Sequence, residues 1–262
     1  MNFMRVWAVV LRHLRLATEV NRLIWLFYWP LLDVVMWGFT GMWMQKDQAQ
    51  SPTVTMSLLT GLVLWQLVGR ASFEASINLI EEMWSFNMLN MFSSPLTLPE
   101  WLTAIFTLAL LMVTAVTTYC MFLVWLLYNF NILSIGPGLI AFIPALFCGG
   151  MAMGFIATSF VIYFGARAQS LVFMLGWLFA PFAGAFYPVS VLPSWGRAIA
   201  SGLPMTYAFT GIRELISSGI LNWNLVAIST GMSVMYLAAC LALFSSMFTW
   251  SKRRGFARLT AD

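Results

Sequence analysis

The chain has 262 residues, 61% of them hydrophobic and only 8% charged, with a formal net charge of +4. Soluble domains carry roughly 25% charged residues because a water-facing surface requires them, so this composition excludes a soluble globular fold and puts the outer surface in lipid. A nucleic-acid partner is excluded with it, since no soluble domain is left to present the basic residues.

Residues 1–22 predict an amphipathic helix lying in the membrane interface. At 100° per residue, Phe3, Trp7, Val10, Leu14 and Ala17 fall on one side, and Arg5, Arg12, Arg15 and Glu19 on the other. The chain's one histidine, His13, lies here, so neither a His-based metal site nor a Ser-His-Asp triad can be built within the spans. The first span is expected over 23–44; it is too long for a signal core and lacks a small-x-small end, so it reads as an anchor. Trp25, Phe27, Tyr28 and Trp29 mark its inner end and Trp43 its outer end. A short polar outer loop follows to Pro52.

The second span, 54–80, is roughly 40 Å long as a helix, so its inner end should project beyond the bilayer. Residues 81–98 predict a cytoplasmic helix and turn, broken by Pro95 and Pro99. A third span is expected over 101–128, with an outer turn at Gly136-Pro137-Gly138, and a fourth over 139–164. An inner turn carrying Arg167 leads to a fifth at 170–187. The stretch 188–224 is apolar but broken by Pro188, Pro193 and Pro204, which suits short re-entrant or interfacial helices on the outer side. The sixth span, 225–250, ends in a tail holding Lys252, Arg253, Arg254 and Arg258. The fold expected is therefore an all-α integral membrane protein of about six transmembrane helices. Basic residues gather near the start, at Arg167 and near the end, so both termini are expected in the cytoplasm, below a plasma or bacterial inner membrane.

Few residues within the spans could carry chemistry. Asp33 lies about 15 Å into the first span, near mid-bilayer, where a carboxylate costs roughly 2.5–3.5 kcal/mol and should face protein or a wet path. It reads either as a pathway or proton-relay residue, or as a structural hydrogen-bonding group, for instance at backbone freed by Pro30. Arg70 and Glu74, four apart on the second span, read as an interfacial ion pair or an inner gate. Trp37, Trp65, Trp125 and Trp177 are lipid-facing bulk or the lining of a conduit. Gly150 and Gly154, and Ala180 and Gly184, have the spacing that lets helices approach closely. Cys120, Cys148 and Cys240 lie in apolar runs with no CxxC spacing and read as small embedded residues. A phosphate-cradling loop ends in Gly-Lys-Ser/Thr, and neither lysine, Lys46 after Gln45 nor Lys252 after Ser251, stands in one.

Two local patches add a family resemblance. Glu82-Met83-Trp84-Ser85-Phe86-Asn87-Met88-Leu89-Asn90 through Ser94-Pro95 resembles the cytoplasmic helix of the ABC-2 type permeases, the membrane subunits of type V ABC exporters. Phe186-Tyr187-Pro188 through Leu192-Pro193, Leu203-Pro204, Tyr207 and Arg213 resembles their outer helical hairpin. The order of elements resembles the family along nearly the whole chain. Trp84 stands where the family often has Gly, and Asn87 where it often has Glu. The resemblance implies a dimeric permease, most simply a homodimer, with separate ABC ATPase subunits docked inside and ATP and Mg held on them. Glu81, Glu82, Trp84, Phe86, Leu89 and Pro95 would receive the power stroke. Pro188, Pro193, Pro204, Tyr207 and Arg213 would shape the outer helices, and substrate would pass at the dimer interface, near spans one, two and five.

The function expected is thus a permease subunit, not an enzyme, exporting a glycan, lipid or amphipathic drug-like molecule. The first alternative is a proton-coupled secondary transporter using Asp33; an embedded enzyme or a structural scaffold would be the others. Within the first two readings, Asp33, Trp37, Arg70 and Glu74 are the candidate pathway or gate residues.

Overall fold

In the computed structural model, residues 1–17, 19–47, 52–85 and 87–254 are described. Phe86, the middle of the polar loop at 48–51, Arg258 and the side chain of Leu89 lie outside the described residues. All regular structure among the described residues is helical. Helix α1 is Phe3–Ala17, α2 Val20–Asp47, α3 Pro52–Trp84, α4 Met88–Ser93 and α5 Leu98–Tyr128. These are followed by α6 Ile143–Phe164, α7 Ser170–Leu178, α8 Ser194–Ser201, α9 Pro204–Ser218 and α10 Trp223–Arg254.

Among the described residues, five stretches are long and apolar enough to cross a bilayer: Arg22–Gln45, Val54–Trp84, Leu98–Tyr128, Pro137–Phe164 and Trp223–Arg253. Large apolar side chains stand on their outer faces, among them Met36 and Phe39 on α2, Leu110 and Trp125 on α5, and Val234 and Met235 on α10. Water would penalise such a coat, whereas lipid accepts it. The chain is an all-helical, multi-pass membrane protein.

Helices α3 and α6 form its centre. Their most apolar stretches are 67% and 61% buried, against 22% for both α2 and α10. The two central helices approach closely because Gly150 and Gly154 leave no side chain between them; a Cβ on either would overlap the Val68 or Ser72 carbonyl of α3. Ser76 Oγ donates to the Gly154 carbonyl at 2.9 Å, and Thr158 Oγ1 to the Ala75 carbonyl at 3.2 Å. Small residues plus hydroxyl bonds hold helices together where lipid removes the usual hydrophobic drive. The first small-residue pair therefore packs within one chain. Ala180 and Gly184 lie beyond the end of α7, among turns, and join no helix–helix seam of that kind.

The segment 170–187 departs most from expectation. Helix α7 has nine residues and stops at Leu178, so the expected continuous fifth helix is absent. Turns continue to Gly184, whose φ of 72° suits a residue without a Cβ. The freed carbonyls are satisfied from outside: Arg213 on α9 donates to Gly184 O at 2.7 Å and Ala185 O at 3.1 Å. Hydropathy alone could not reveal this break, because 170–187 is largely apolar and its stabilising arginine lies far along the chain; the local sign was Pro181, three residues after the helix end and flanked by Gly176 and Gly184.

Helix α1 also differs in detail. Its buried face is Val6, Val10, His13 and Ala17, while Phe3 and Trp7 are exposed and stacked on each other, 6.4 Å between ring centroids. The apolar stripe is thus wide enough to serve two surfaces, one against α5 and one outward.

Candidate functional site

At the end of the bundle next to α1, charged side chains from three segments meet. Arg12 on α1 donates to both carboxylate oxygens of Glu82, at 2.8 and 3.1 Å. Arg22, at the start of α2, donates to Glu81 at 2.8 Å and to Glu74 at 3.1 Å. Arg70 is hydrogen-bonded to Glu74 one turn along α3, as the i, i+4 spacing predicts, and Asn78 Nδ2 reaches the same carboxylate at 3.2 Å. Glu74 and Glu82 are fully buried, so each charge needs these donors. Asn87 also donates to Glu82, at 2.6 Å. His13 is enclosed beside them, its nitrogens 3.8 Å from Glu81 and 3.6 Å from Glu82, too far for hydrogen bonds.

The same lattice ties α1 to the start of α5. Arg5 donates to the Pro95 carbonyl at 2.6 Å, and the Asn2 N–H to Glu100 at 2.7 Å. Glu100 also accepts from the Thr97 N–H at 3.0 Å, in a capping box that starts α5. A cavity of about 430 Å³ between α1 and α4 is lined by Arg5, Arg12, Asn87, Asn90, Met91 and Pro95 among others. Trp84, at the end of α3, is exposed and donates from its indole to Gln169 at 3.1 Å.

Deeper in the bundle, α2 and α7 both pack on α3, with a cavity of about 520 Å³ among them. Its walls include Trp25, Trp29 and Asp33 of α2, Trp65, Gln66, Gly69, Arg70 and Phe73 of α3, and Phe173 and Trp177 of α7. A further cavity of about 630 Å³, lined by Arg12, Glu19, Arg22 and Glu81, shares Trp25, Phe73 and Phe173 with it. Those three rings form a partition, Trp25 to Phe173 at 6.5 Å and Phe73 to Phe173 at 6.1 Å. On one side is the charged lattice and on the other the aromatic chamber.

Of the predicted pathway residues, Asp33 and Arg70 line the chamber and Glu74 backs Arg70. Trp37 does not line it; it stacks on Phe186 at 4.8 Å, toward the opposite end of α2. The partner of Asp33 is the Gln66 amide, which donates at 2.7 Å, rather than backbone near Pro30. Sequence reasoning missed Gln66, and it missed the role of Arg22 between Glu74 and Glu81; neither partner stands at a helical spacing from the residue it meets. Trp25 and Trp29 read as an interfacial belt, and their i, i+4 spacing was the available sign of a shared face.

The predicted outer residues punctuate that end of the fold. Pro188 and Pro193 precede the short helical segments at 189–191 and α8, and Pro204 opens α9. The Tyr207 hydroxyl donates to the Ser201 carbonyl at 2.9 Å, closing the α8–α9 turn.

No family model matches the chain. Over 67 residues it is 28% identical to the uncharacterized protein YhgE of Bacillus subtilis (strain 168), a stretch that makes up 25% of this chain and 9% of that protein. The matched region thus spans less than a tenth of the relative's length.

Proposed function

We propose that this chain is the membrane subunit of an ATP-binding-cassette exporter, moving a glycan, lipid or amphipathic drug-like molecule out through a plasma or bacterial inner membrane. ATP and Mg react on a separate ATPase chain, and a second permease copy completes the path.

The observation that carries this reading is the layout of α3. It is one helix of 33 residues, about 50 Å long. One end holds Glu74, Glu81 and Glu82, tied through arginines to α1 and α2, and its middle forms the wall of the aromatic chamber. A push at Trp84, α4 or Pro95 is delivered by a stiff rod to the chamber wall, while α1 and the start of α2 move with it. Such a push shifts an inward–outward equilibrium to the extent that the ATPase binds the two states differently. The groove between α1 and α4 offers that ATPase a polar seat.

In this reading α7 and the turns after it make the fifth passage of six. The Ala185 carbonyl lies where a Cβ on Gly61 of α3 would stand, which takes the chain well past the end of α7. Non-helical backbone is tolerated at membrane depth only when buried in protein with its polar groups satisfied, and Arg213 meets that condition. Six passages return both ends to one face. In keeping with this, Trp101 at the start of α5 stacks on Phe244 of α10 at 5.7 Å, and Tyr163 at the end of α6 on Trp250 at 4.5 Å.

The test is purification of the tagged chain from its own membrane in mild detergent. Vanadate-sensitive ATP hydrolysis and a second polypeptide labelled by azido-ATP are expected in the preparation. A preparation holding this chain alone, without hydrolysis, that carries solute uphill on a pH gradient would establish the proton-coupled alternative instead.

A further inference from the structure

The lattice beside α1 balances its own charge. Arg12 is matched by Glu82, Arg22 by Glu81, and Arg70 by Glu74, with Arg22 bridging to Glu74. Arg70 is directed to Glu74, away from Gln66 along α3, and its guanidinium carbon lies 5.2 Å from the centre of the Phe73 ring. Asp33 is different. Among the described residues it has no cationic partner, and its hydrogen bond comes from the neutral amide of Gln66. With Asp33 ionised, the charge the chamber leaves uncompensated is therefore negative.

The walls around that carboxylate are aromatic, and the faces of such rings attract cations. Several of the rings stand at the molecular surface: Trp25 is 51% exposed, Trp29 47%, Phe173 42% and Trp177 53%. The chamber consequently opens sideways between α2 and α7, where an apolar ligand would arrive from the bilayer. Its volume, about 520 Å³, falls within the range of pockets for drug-sized ligands, roughly 300–1,000 Å³. A hard metal ion is a poor fit, because it requires a shell of oxygen ligands and the chamber offers those of Asp33 and Gln66.

We propose that this chamber binds a lipophilic organic monocation taken from the membrane, its charge set against Asp33 and its apolar groups held between Trp29 and Trp177. The inference deepens the exporter reading and rests on it for transport, although the binding step itself requires no partner chain. Asp33 supplies the sign selectivity and the rings supply affinity that is tolerant of ligand shape. An anionic amphiphile is rejected, because the cation it would seek, Arg70, is already held by Glu74.

Tetraphenylphosphonium and tetraphenylborate are matched in shape and opposite in charge, so together they isolate the sign of the site. Each labelled ion is dialysed separately against the full chain in an uncharged detergent, with protein-free micelles as the blank. Saturable binding of tetraphenylphosphonium is expected, at least about tenfold tighter than tetraphenylborate, with about a tenfold loss in Asp33→Asn and partial retention in Asp33→Glu. Trp177→Ala should weaken it several-fold. Equal or tighter binding of tetraphenylborate by the unaltered chain would overturn the proposal, as would Asp33→Asn binding tetraphenylphosphonium like the unaltered chain. The comparison of the two ions needs no variant, so a misfolded Asp33→Asn leaves the proposal decidable. Loss of cation selectivity alongside intact ATP hydrolysis in the native preparation removes this inference alone.

Discussion

Arg12 and Glu82 meet across 70 residues of chain, yet their removal should not cost the same. The arginine side chain is 46% exposed and the glutamate 1%. Truncating Glu82 lets Arg12 turn to water, at a cost of about 1–2 kcal/mol for the lost charged hydrogen bonds. Truncating Arg12 strands a buried carboxylate with Asn87 as its remaining donor, which should cost about 3 kcal/mol or more. Thermal unfolding in one detergent should therefore rank Arg12→Ala below Glu82→Gln; the reverse order would mean that Glu82 is not buried as described. Arg213 offers a second case. Arg213→Ala leaves the Gly184 and Ala185 carbonyls without their donor and should lower stability by about 1–3 kcal/mol, whereas Arg213→Lys should recover part of it. Equal melting temperatures for Arg213→Ala and the unaltered chain would contradict that role. At this scale the sequence reveals what helical spacing reveals. Arg70–Glu74 is legible because both residues sit on one helix; Arg22–Glu81 and Asp33–Gln66 are not, because packing alone brings their helices together.

For the elements, most of the plan is legible and the exceptions have physical causes. Long apolar runs identify the five helices that, among the described residues, are long and apolar enough to cross, because lipid imposes both length and composition on them. The break after Leu178 escapes that logic, since an apolar composition does not distinguish a helix from turns whose carbonyls a distant arginine satisfies; its legible sign is Pro181, which cannot continue a helix. The small-residue pairs divide in the same way. Gly150 and Gly154 lie on a continuous helix and form a seam with α3, whereas Ala180 and Gly184 lie past a helix end. The seam leads to an expectation about α6. Gly154→Leu forces its side chain into the Ser72 carbonyl and should destabilise the bundle by about 2–3 kcal/mol, while Gly176→Ala, at a position with open space, should change little. Comparable loss of folded yield in both variants would show that the α3–α6 seam is not what Gly154 serves.

Across the whole molecule, two chambers lie along one face of α3, separated by three aromatic rings and differing in charge. The charged lattice fixes α1 to the end of that helix, and the aromatic chamber lies farther along it. Composition and run lengths reveal a membrane protein and its long apolar helices; they do not reveal the chambers, which are spaces among α1, α2, α3 and α7 that no single segment encodes. Under the proposed function, force enters at the α1 end from a nucleotide-hydrolysing partner. In-cell photocrosslinking addresses it directly, with a benzophenone amino acid replacing exposed Trp84 or Asn90 at that end, or exposed Ser134 at the other. The prediction is a covalent adduct between this chain and an ATP-binding protein from positions 84 and 90 and none from 134. Adducts of equal yield from all three positions, or none with an ATP-binding protein from positions 84 and 90, would contradict it.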